Sequence, residues 1–218
     1  MTREGYWCIG VAGAAGLGAW AAGWPLVASG MVLLGALLGA FFRDPGRSSP
    51  QDPALILSPA DGTVVEVGEA DAEGKTLGFG RRVAIFLSVL DVHVNRAPVG
   101  GRVERIEHRP GRFRAAFHPR ASAENSRFTW WLAGPSGPVL FRQIAGVLAR
   151  RIVAWKQPGE WVRAGERLGL IRLGSRVEVL FRDPVECLVL VGDRVRGGVT
   201  PLARWAGGAE GRLERSDP

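Results

Sequence analysis

The chain has 218 residues, enough for one domain with an appendage, and its 46% hydrophobic content is that of a folded protein. Its 28 basic residues outnumber its 21 acidic ones by seven, and arginine supplies nearly all of the positive charge because Lys75 and Lys156 are the only lysines. Such a guanidinium-rich surface suits phosphates and carboxylates, whereas two cysteines, Cys8 and Cys187, are too few for a disulfide framework or a cysteine-ligated zinc site.

The N-terminal segment is the first predicted element. Residues 5–42 contain no Asp, Glu, Lys or Arg, and this run is too long for one helix, which needs about 20 residues to span a bilayer. Pro25 divides the run and suits the first turn of a second helix. Small residues at Gly10, Gly13 and 35–39 allow two helices to approach closely in lipid. We therefore predict a helical hairpin that spans the membrane or enters one leaflet, with a signal peptide or a buried soluble helix pair as the alternatives.

The charges that flank this segment predict its orientation. Arg3 precedes the apolar run, Arg43 and Arg47 follow it, and the connection near Pro25 carries no charge. Because cytoplasmic flanks carry the excess of Lys and Arg, both ends of the hairpin are predicted to lie on the cytoplasmic side of the cell (inner) membrane. Residues 1–47 then form the anchor, 48–53 form a polar linker, and the main domain follows on the same side of the membrane.

From residue 54 to 206 the pattern is typical of β-structure. Short apolar or β-branched runs alternate with Gly, Pro and charged turns, and no long helical period occurs. We predict a mainly β domain with a bent, barrel-sandwich-like sheet, followed by a loose tail at 207–218. The predicted strands are 63–67, 83–90, 101–106, 128–132, 139–147, 151–155, 168–173, 177–181 and 185–191.

Two segments, 58–64 and 158–169, are similar to biotinyl and lipoyl barrel-sandwich domains, which raises two competing functions. A carrier domain needs a modifiable lysine in a hairpin, but neither lysine has the flanking pattern of such a site. A zinc endopeptidase of the lysostaphin type needs several His ligands including a His-x-His pair. The chain has only His93, His108 and His118, and Asn95 stands where the second His of a pair would be. We therefore expect no metal.

Six motifs, in order, resemble one family more closely. They are 41–45 (FFRDP), 58–62 (SPADG), 89–101 with Asp91 and His93 (VLDVHVNRAPVGG), 143–153 (QIAGVLARRIV), 155–159 (WKQPG) and 172–176 (RLGSR). In this combination they resemble the short, membrane-linked phosphatidylserine decarboxylases from the anchor to about residue 184. In that family the Gly-Ser bond of the last motif cuts itself and the Ser becomes a pyruvoyl group.

The resemblance implies a reaction and a maturation step. Removing CO2 from an amino acid needs an electron sink joined to its amine, and a pyruvoyl group supplies one by forming a Schiff base with the serine head group. The Ser175 hydroxyl would attack the Gly174 carbonyl, giving chains 1–174 and 175–218, which stay together as a heterodimer. The substrate would be phosphatidylserine in an anionic membrane and the product phosphatidylethanolamine. The alternatives are an archaetidylserine-type lipid, or a non-catalytic membrane-tethered barrel.

The resemblance also assigns roles to individual residues. Ser175 is the pyruvoyl precursor, His93 the base that activates it, and Asp61 the partner that orients His93. His108 and His118 lie in segments that read as loops. Arg112, Arg114 and Arg176, with Arg109 nearby, are the candidate contacts for the substrate's phosphate or for anionic lipid. Nucleic-acid binding is disfavoured because the basic residues are dispersed.

One departure from the family affects the base. Longer relatives have a second His three residues after the first, and Arg96 stands at that position here. Arginine is not an ordinary base at neutral pH. The residues leave two alternatives open: His93 serves both self-cleavage and decarboxylation, or a relay through Asp91 or water replaces the missing His.

Overall fold

Two helices come first along the chain and strands make up most of the rest. The computed structural model describes residues 3–118, 120–147, 151–171 and 174–206. The elements are α1 Arg3–Ala21, α2 Pro25–Phe41, β1 Leu55–Leu57, β2 Gly62–Glu69, α3 Ala72–Thr76, β3 Arg81–Leu87, β4 Val94–Arg96, β5 Gly101–Arg109, α4 Ala121–Glu124, β6 Arg127–Ala133, β7 Pro138–Ile144, β8 Ile152–Ala154, β9 Trp161–Val162, β10 Arg167–Ile171, β11 Ser175–Phe181, β12 Val185–Cys187, β13 Arg194–Val195 and β14 Pro201–Trp205.

The first compact unit contains α1 and α2, together with residues 89–92. Pro25 occupies the first turn of α2, where its missing N–H costs no helical hydrogen bond. The two helices pack through small residues, since a side chain at Gly39 would lie 3.1 Å from Ile9 and one at Gly35 would lie 3.6 Å from Ala12. The described helices include none that combines the length and the hydropathy required of a membrane span.

The glycines predicted to lie between the two helices do so on α2 and not on α1. Gly35 and Gly39 of α2 face α1, as expected. On α1 the close contact is at Gly16, where a side chain would lie 3.3 Å from Met31, whereas Gly10 and Gly13 have no atoms of the partner helix nearby. The sequence did not separate these glycines because glycine recurs on every side of α1.

The second compact unit, residues 47–88 and 93 onward, carries the strands. An eight-stranded antiparallel sheet in the order β13-β2-β3-β11-β7-β6-β5-β9 forms a strongly curled half-barrel. Two three-stranded sheets, β1-β14-β12 and β4-β10-β8, accompany it. The predicted mainly β class is therefore confirmed.

Strand β11 runs through the middle of the large sheet between β3 and β7, and its side chains alternate between two faces. Val177, Val179 and Phe181 point into the main hydrophobic core with Trp130. Leu180 belongs to a smaller apolar cluster on the other face. The alternation therefore places Ser175 on the core face of the sheet.

Several strand boundaries differ from the prediction. Strand β5 continues to Arg109, so His108 lies in a strand and not in a loop. Strand β12 ends at Cys187, because Leu188–Val191 leads into a turn closed by Asp193, whose carboxylate accepts a 2.8 Å hydrogen bond from the Leu190 N–H. The tail at 207–218 lies outside the described residues.

Candidate active site

The Gly174–Ser175 bond lies at the entrance to β11. Gly174 has φ of +66°, a left-handed conformation that favours glycine because other residues carry a Cβ that clashes there. Ser175 begins the strand and is fully buried. Within the described ranges its hydroxyl oxygen has no hydrogen-bond partner. A buried hydroxyl without a partner costs free energy, so its presence in a native fold calls for an explanation, of which a catalytic role is one.

His93 lies next to this bond. Its side chain is fully buried, and its Nε2 accepts a hydrogen bond of 3.3 Å from the Gly174 N–H. The backbone of His93 is held by Ile171, whose N–H donates to the His93 carbonyl at 3.2 Å. Two residues 81 positions apart in the chain, which the sequence analysis placed in one site, are therefore neighbours in the fold.

The carbonyl of Gly174 faces the end of strand β7. A side chain at Gly146 would place its Cβ 2.3 Å from the Gly174 carbonyl oxygen and 3.5 Å from Ala116. Asn125 holds this region together, because its amide donates to the carbonyls of Ala145 at 2.8 Å and of Arg114 at 2.9 Å. Glycine at position 146 thus leaves the space in which the scissile carbonyl lies.

The hydrogen bonds of the Asp61 carboxylate are to Arg47 and Gly197, whereas His93 was the predicted partner. The carboxylate binds the Arg47 guanidinium through two hydrogen bonds, of 2.5 and 2.7 Å, and accepts a third of 2.8 Å from the Gly197 N–H. These contacts engage both carboxylate oxygens. The orientation of His93 by Asp61 stays a prediction, and the observed contacts connect Asp61 to the chain that precedes β1.

The candidate phosphate-binding arginines on the 109–114 segment are partly paired. Arg114 donates to Glu124 at 2.6 Å, and Arg112, whose side chain is 70% exposed, lies 3.5 Å from the same carboxylate. The hydrogen bond from Arg114 lowers the pKa of Glu124. Arg109 lies 3.8 Å from Glu73. Arg112 therefore has the most exposed guanidinium of the three.

Arg176 lies on the sheet face opposite that of Ser175 and is largely buried. Its guanidinium donates to Glu178 at 3.0 Å and to Glu66 at 2.6 Å. Glu178 is fully buried and also accepts a 2.6 Å hydrogen bond from the Ser122 hydroxyl. The predicted contact of Arg176 with substrate stays a prediction, and the observed partners form a buried ionic network beneath the site.

This ionic network continues along the same face. Arg142, with a side chain only 1% exposed, lies 3.5 Å from Glu178 and donates to Asp71 at 2.7 Å. Burial alone would raise the pKa of Asp71, but the hydrogen bond and charge of Arg142, with the Gly74 N–H, outweigh it and lower that pKa. The sequence shows these charges within apolar strands, but the pairs depend on strand register, which it does not reveal.

Arg96, at the position of the second His of longer relatives, is buried, and its guanidinium donates to the Gly165 carbonyl at 3.1 Å. A neighbouring polar group was missed by the sequence analysis. Gln143 accepts a 2.6 Å hydrogen bond from the Trp130 indole and donates to the Asn95 carbonyl oxygen at 2.8 Å. The available signal was a Gln between apolar residues in strand β7.

Comparison with known proteins identifies the family. A sequence model described as phosphatidylserine decarboxylase matches residues 34–203. A protein of Solibacter usitatus named phosphatidylserine decarboxylase proenzyme is 43% identical over 91% of this chain and 93% of its own length. Proteins of the same name from Carboxydothermus hydrogenoformans (42% identity, 95% of this chain, 97% of theirs) and Salinibacter ruber (44%, 81%, 79%) are similar. The word proenzyme denotes a precursor that is processed. The chain therefore belongs to the phosphatidylserine decarboxylase family of carboxy-lyases.

Proposed function

We propose that this chain cleaves itself between Gly174 and Ser175 and then decarboxylates phosphatidylserine to phosphatidylethanolamine. The observation that carries the proposal is the buried Ser175 hydroxyl, without a hydrogen-bond partner among the residues that the structure describes, beside a left-handed glycine whose N–H binds His93. A serine hydroxyl is a weak nucleophile unless a neighbouring base accepts its proton. We assign that task to His93, whose Nε2 lies 3.3 Å from the Gly174 nitrogen.

The self-cleavage proceeds in three balanced steps. The Ser175 oxygen attacks the Gly174 carbonyl carbon, the C–N bond breaks, and an ester joins the two residues. Loss of the Ser175 α-proton and breakage of its Cβ–O bond release Gly174 as a carboxylate and leave a dehydroalanine. Addition of one water and loss of one ammonia convert this residue into a pyruvoyl group. The products are chains 1–174 and 175–218, which we propose remain together as a heterodimer.

The residues around position 175 fit a pyruvoyl group, because that site is buried, its side-chain oxygen has no hydrogen-bond partner within the described ranges, and His93 is adjacent. When formed, the group supplies the carbonyl that reacts with the serine amine and accepts the electron pair as CO2 leaves. His93 is suited to transfer protons in both stages, since imidazole exchanges protons near neutral pH. We retain Asp61 as a positioning residue for His93.

The membrane assignment rests on the helical unit. Large apolar side chains on both helices are exposed, including Trp7 at 77%, Leu17 at 71% and Leu26 at 88%. Exposed apolar surface of this extent is typical of a contact with lipid or with another protein. Because the proposed substrate is a lipid, we favour a contact with the membrane. We propose that the hairpin inserts in the inner membrane, with the β unit on the cytoplasmic side. Arg112 and Arg114, with Arg109, are the proposed contacts for phosphate.

The proposal is tested with purified protein and vesicles that contain phosphatidylserine. We expect release of CO2 and formation of phosphatidylethanolamine, and loss of both in Ser175→Ala. Vesicles of archaetidylserine, offered in parallel, measure the preference for the lipid tails. Cleaved protein that releases no CO2 from either lipid would contradict the proposed reaction.

A further inference from the structure

A chain of three buried polar side chains crosses the core on the Ser175 side of the large sheet. Trp130, Gln143 and Asn95 are fully buried, and hydrogen bonds of 2.6 and 2.8 Å join them in that order. Buried side-chain networks of this kind fix the orientation of their members. We call these three residues the amide relay.

The indole fixes the direction of the relay. The N–H of Trp130 is only a donor, so the Gln143 atom facing it must be the amide oxygen. The Gln143 nitrogen is then the donor to Asn95, and the Asn95 atom that receives it must be the oxygen. Asn95 therefore presents its NH2 group away from Gln143, and its amide is not free to flip without breaking a hydrogen bond.

That NH2 group lacks a partner in the part of the chain that the structure describes. An unsatisfied buried amide donor costs about 1–3 kcal/mol, so it calls for an explanation. Among the described residues the Ser175 hydroxyl is likewise buried without a hydrogen-bond partner. Action of both groups in the same reaction would explain why each is left unpaired.

Register places the relay at the scissile bond. Gln143 pairs with Val177 across β7 and β11, so its side chain shares a face with Ser175 two residues earlier. Asn95 is the middle residue of β4, and His93 lies two positions earlier, just before the strand. His93 in turn binds the Gly174 N–H. Gln143 therefore lies on the Ser175 face of the sheet, and Asn95, which it binds, follows closely in the chain the residue that contacts Gly174.

We propose that the Asn95 NH2 group is the donor that stabilises the negative charge on the Gly174 carbonyl oxygen when the Ser175 hydroxyl attacks. The proposal rests on the proposed self-cleavage. A neutral amide in a water-excluded site is suited to this task, because it needs no reorganisation as charge develops. Gln143 and Trp130 act as positioning residues that hold the amide in the donating orientation.

The decisive variant is Asn95→Asp, which keeps an oxygen to accept from Gln143 and replaces only the donor. We expect cleavage of newly synthesised chain, followed in a cell-free synthesis and chase, to slow about 100- to 1,000-fold at neutral pH. Protonation of the introduced carboxyl restores a donor. The variant's cleavage rate relative to the unsubstituted chain should therefore rise as the pH is lowered, which a merely structural role would not produce.

A milder pair of variants tests the positioning residues. Trp130→Phe removes the indole donor, so the amides of Gln143 and Asn95 can flip together, and we expect cleavage to slow about tenfold. Trp131→Phe is the matched control, because Trp131 packs against the smaller cluster on the opposite face, and it should cleave at the unsubstituted rate.

The outcomes separate this proposal from the proposed function. Absence of cleavage in the unsubstituted chain would contradict the self-cleavage itself. Normal cleavage of Asn95→Asp at neutral pH would overturn the proposed role of Asn95. The same holds if the variant cleaves normally and only its KM for the lipid substrate rises. Equal slowing by Trp130→Phe and Trp131→Phe would overturn the directional role of the indole.

Discussion

Gly174 and Ser175 contribute different things to the site. Gly174 supplies a left-handed backbone that turns the chain into β11, and Ser175 supplies a buried hydroxyl at the first position of that strand. His93 joins them through the Gly174 N–H. The proposed self-cleavage depends on a few atoms of these three residues, so single substitutions test it directly.

The first residue-scale prediction concerns His93. We expect His93→Ala to slow self-cleavage by at least about 100-fold, because a positioned base contributes that much or more to proton transfer. His108→Ala is the control, since His108 contacts Ser126 and stacks on Phe128 away from the scissile bond. The measurement is the ratio of cut to uncut chain over time, and equal cleavage of both variants would contradict the role of His93.

The second residue-scale prediction concerns the space beside the Gly174 carbonyl. In Gly146→Ala the new methyl would lie 2.3 Å from that oxygen, so the carbonyl must move. A displacement of about 1 Å can cost about 100-fold in rate, and we expect a loss of cleavage of that order. Gly68→Ala, which meets no atom within 4 Å, should cleave normally, and equal rates for the two variants would argue against the observed packing.

The sequence predicted a site at Ser175, Gly174 and His93, because each stands in a motif whose order along the chain is specific, and His93 does lie beside Gly174 in the fold. It did not identify the partners of Asp61 or Arg176. Those pairs join residues 14 and 110 positions apart, and their contacts depend on turns and on strand register. Gln143 and Asn95 were likewise visible as residues but not as a hydrogen-bonded pair.

Strand β11 carries two functions on its two faces. The core face holds Ser175 and the apolar residues that bury it, and the other face holds the ionic network of Arg176 and Glu178. Removing one partner of a buried ion pair leaves a charge without compensation. The network therefore stabilises the strand on which the reacting residue lies.

The element-scale prediction concerns Asp71, which caps α3 and pairs with Arg142. Asp71→Asn should lower the free energy of unfolding by about 1–2 kcal/mol at neutral pH. This value is at the low end of the range for a hydrogen bond between charged groups, because Asp71 is partly exposed to solvent. The folded-state pKa lies below the ordinary 3.8, so this stabilisation is present above pH 3.8 and is lost as the pH falls through the folded value.

Denaturant titrations of the unsubstituted protein and of Asp71→Asn between pH 7 and pH 3 check this prediction. The difference between their free energies of unfolding should become smaller at the acidic end. Glu69→Gln, which removes the exposed pair with Lys75, should leave the free energy of unfolding nearly unchanged, because solvent screens an exposed ion pair. A difference for Asp71→Asn that is independent of pH would contradict the ionic account.

Most strands were predicted from alternation, including the three-residue strands β8 and β12, which lie within the predicted runs 151–155 and 185–191. Strands β1, β4, β9, β13 and β14 were not predicted. β4, β9 and β13 are too short to show a period, although β4 carries Asn95 and directly follows His93. The helices α3 and α4, at five and four residues, are likewise below the length at which a helical period is visible.

The whole molecule combines a helical unit with exposed apolar side chains and a β unit that carries the site. The sequence predicted such a division from the change in hydropathy at the end of the charge-free run 5–42. Membrane attachment is a property of the helical unit in our proposal, and self-cleavage is a property of the β unit. The two should therefore be separable.

We predict that Leu33→Lys with Leu37→Lys, both on exposed positions of α2, releases the protein from phosphatidylserine vesicles in a flotation assay. A lysine at the centre of a membrane helix costs about 2.5–3.5 kcal/mol. Self-cleavage should continue in this variant. Leu190→Lys with Val191→Lys, similarly exposed on the β unit, is the control and should still float. Unchanged flotation of the α2 variant would contradict the membrane assignment.

The measurement that tests the central claim most directly is the intact mass of the purified protein, with Ser175→Ala alongside. We predict two chains, 1–174 and 175–218, whose combined mass equals that of the encoded chain plus one water minus one ammonia. The Ser175→Ala protein should remain one chain. A folded, unsubstituted protein that stays uncut, or a fragment that begins with an unmodified serine, would contradict self-cleavage to a pyruvoyl group.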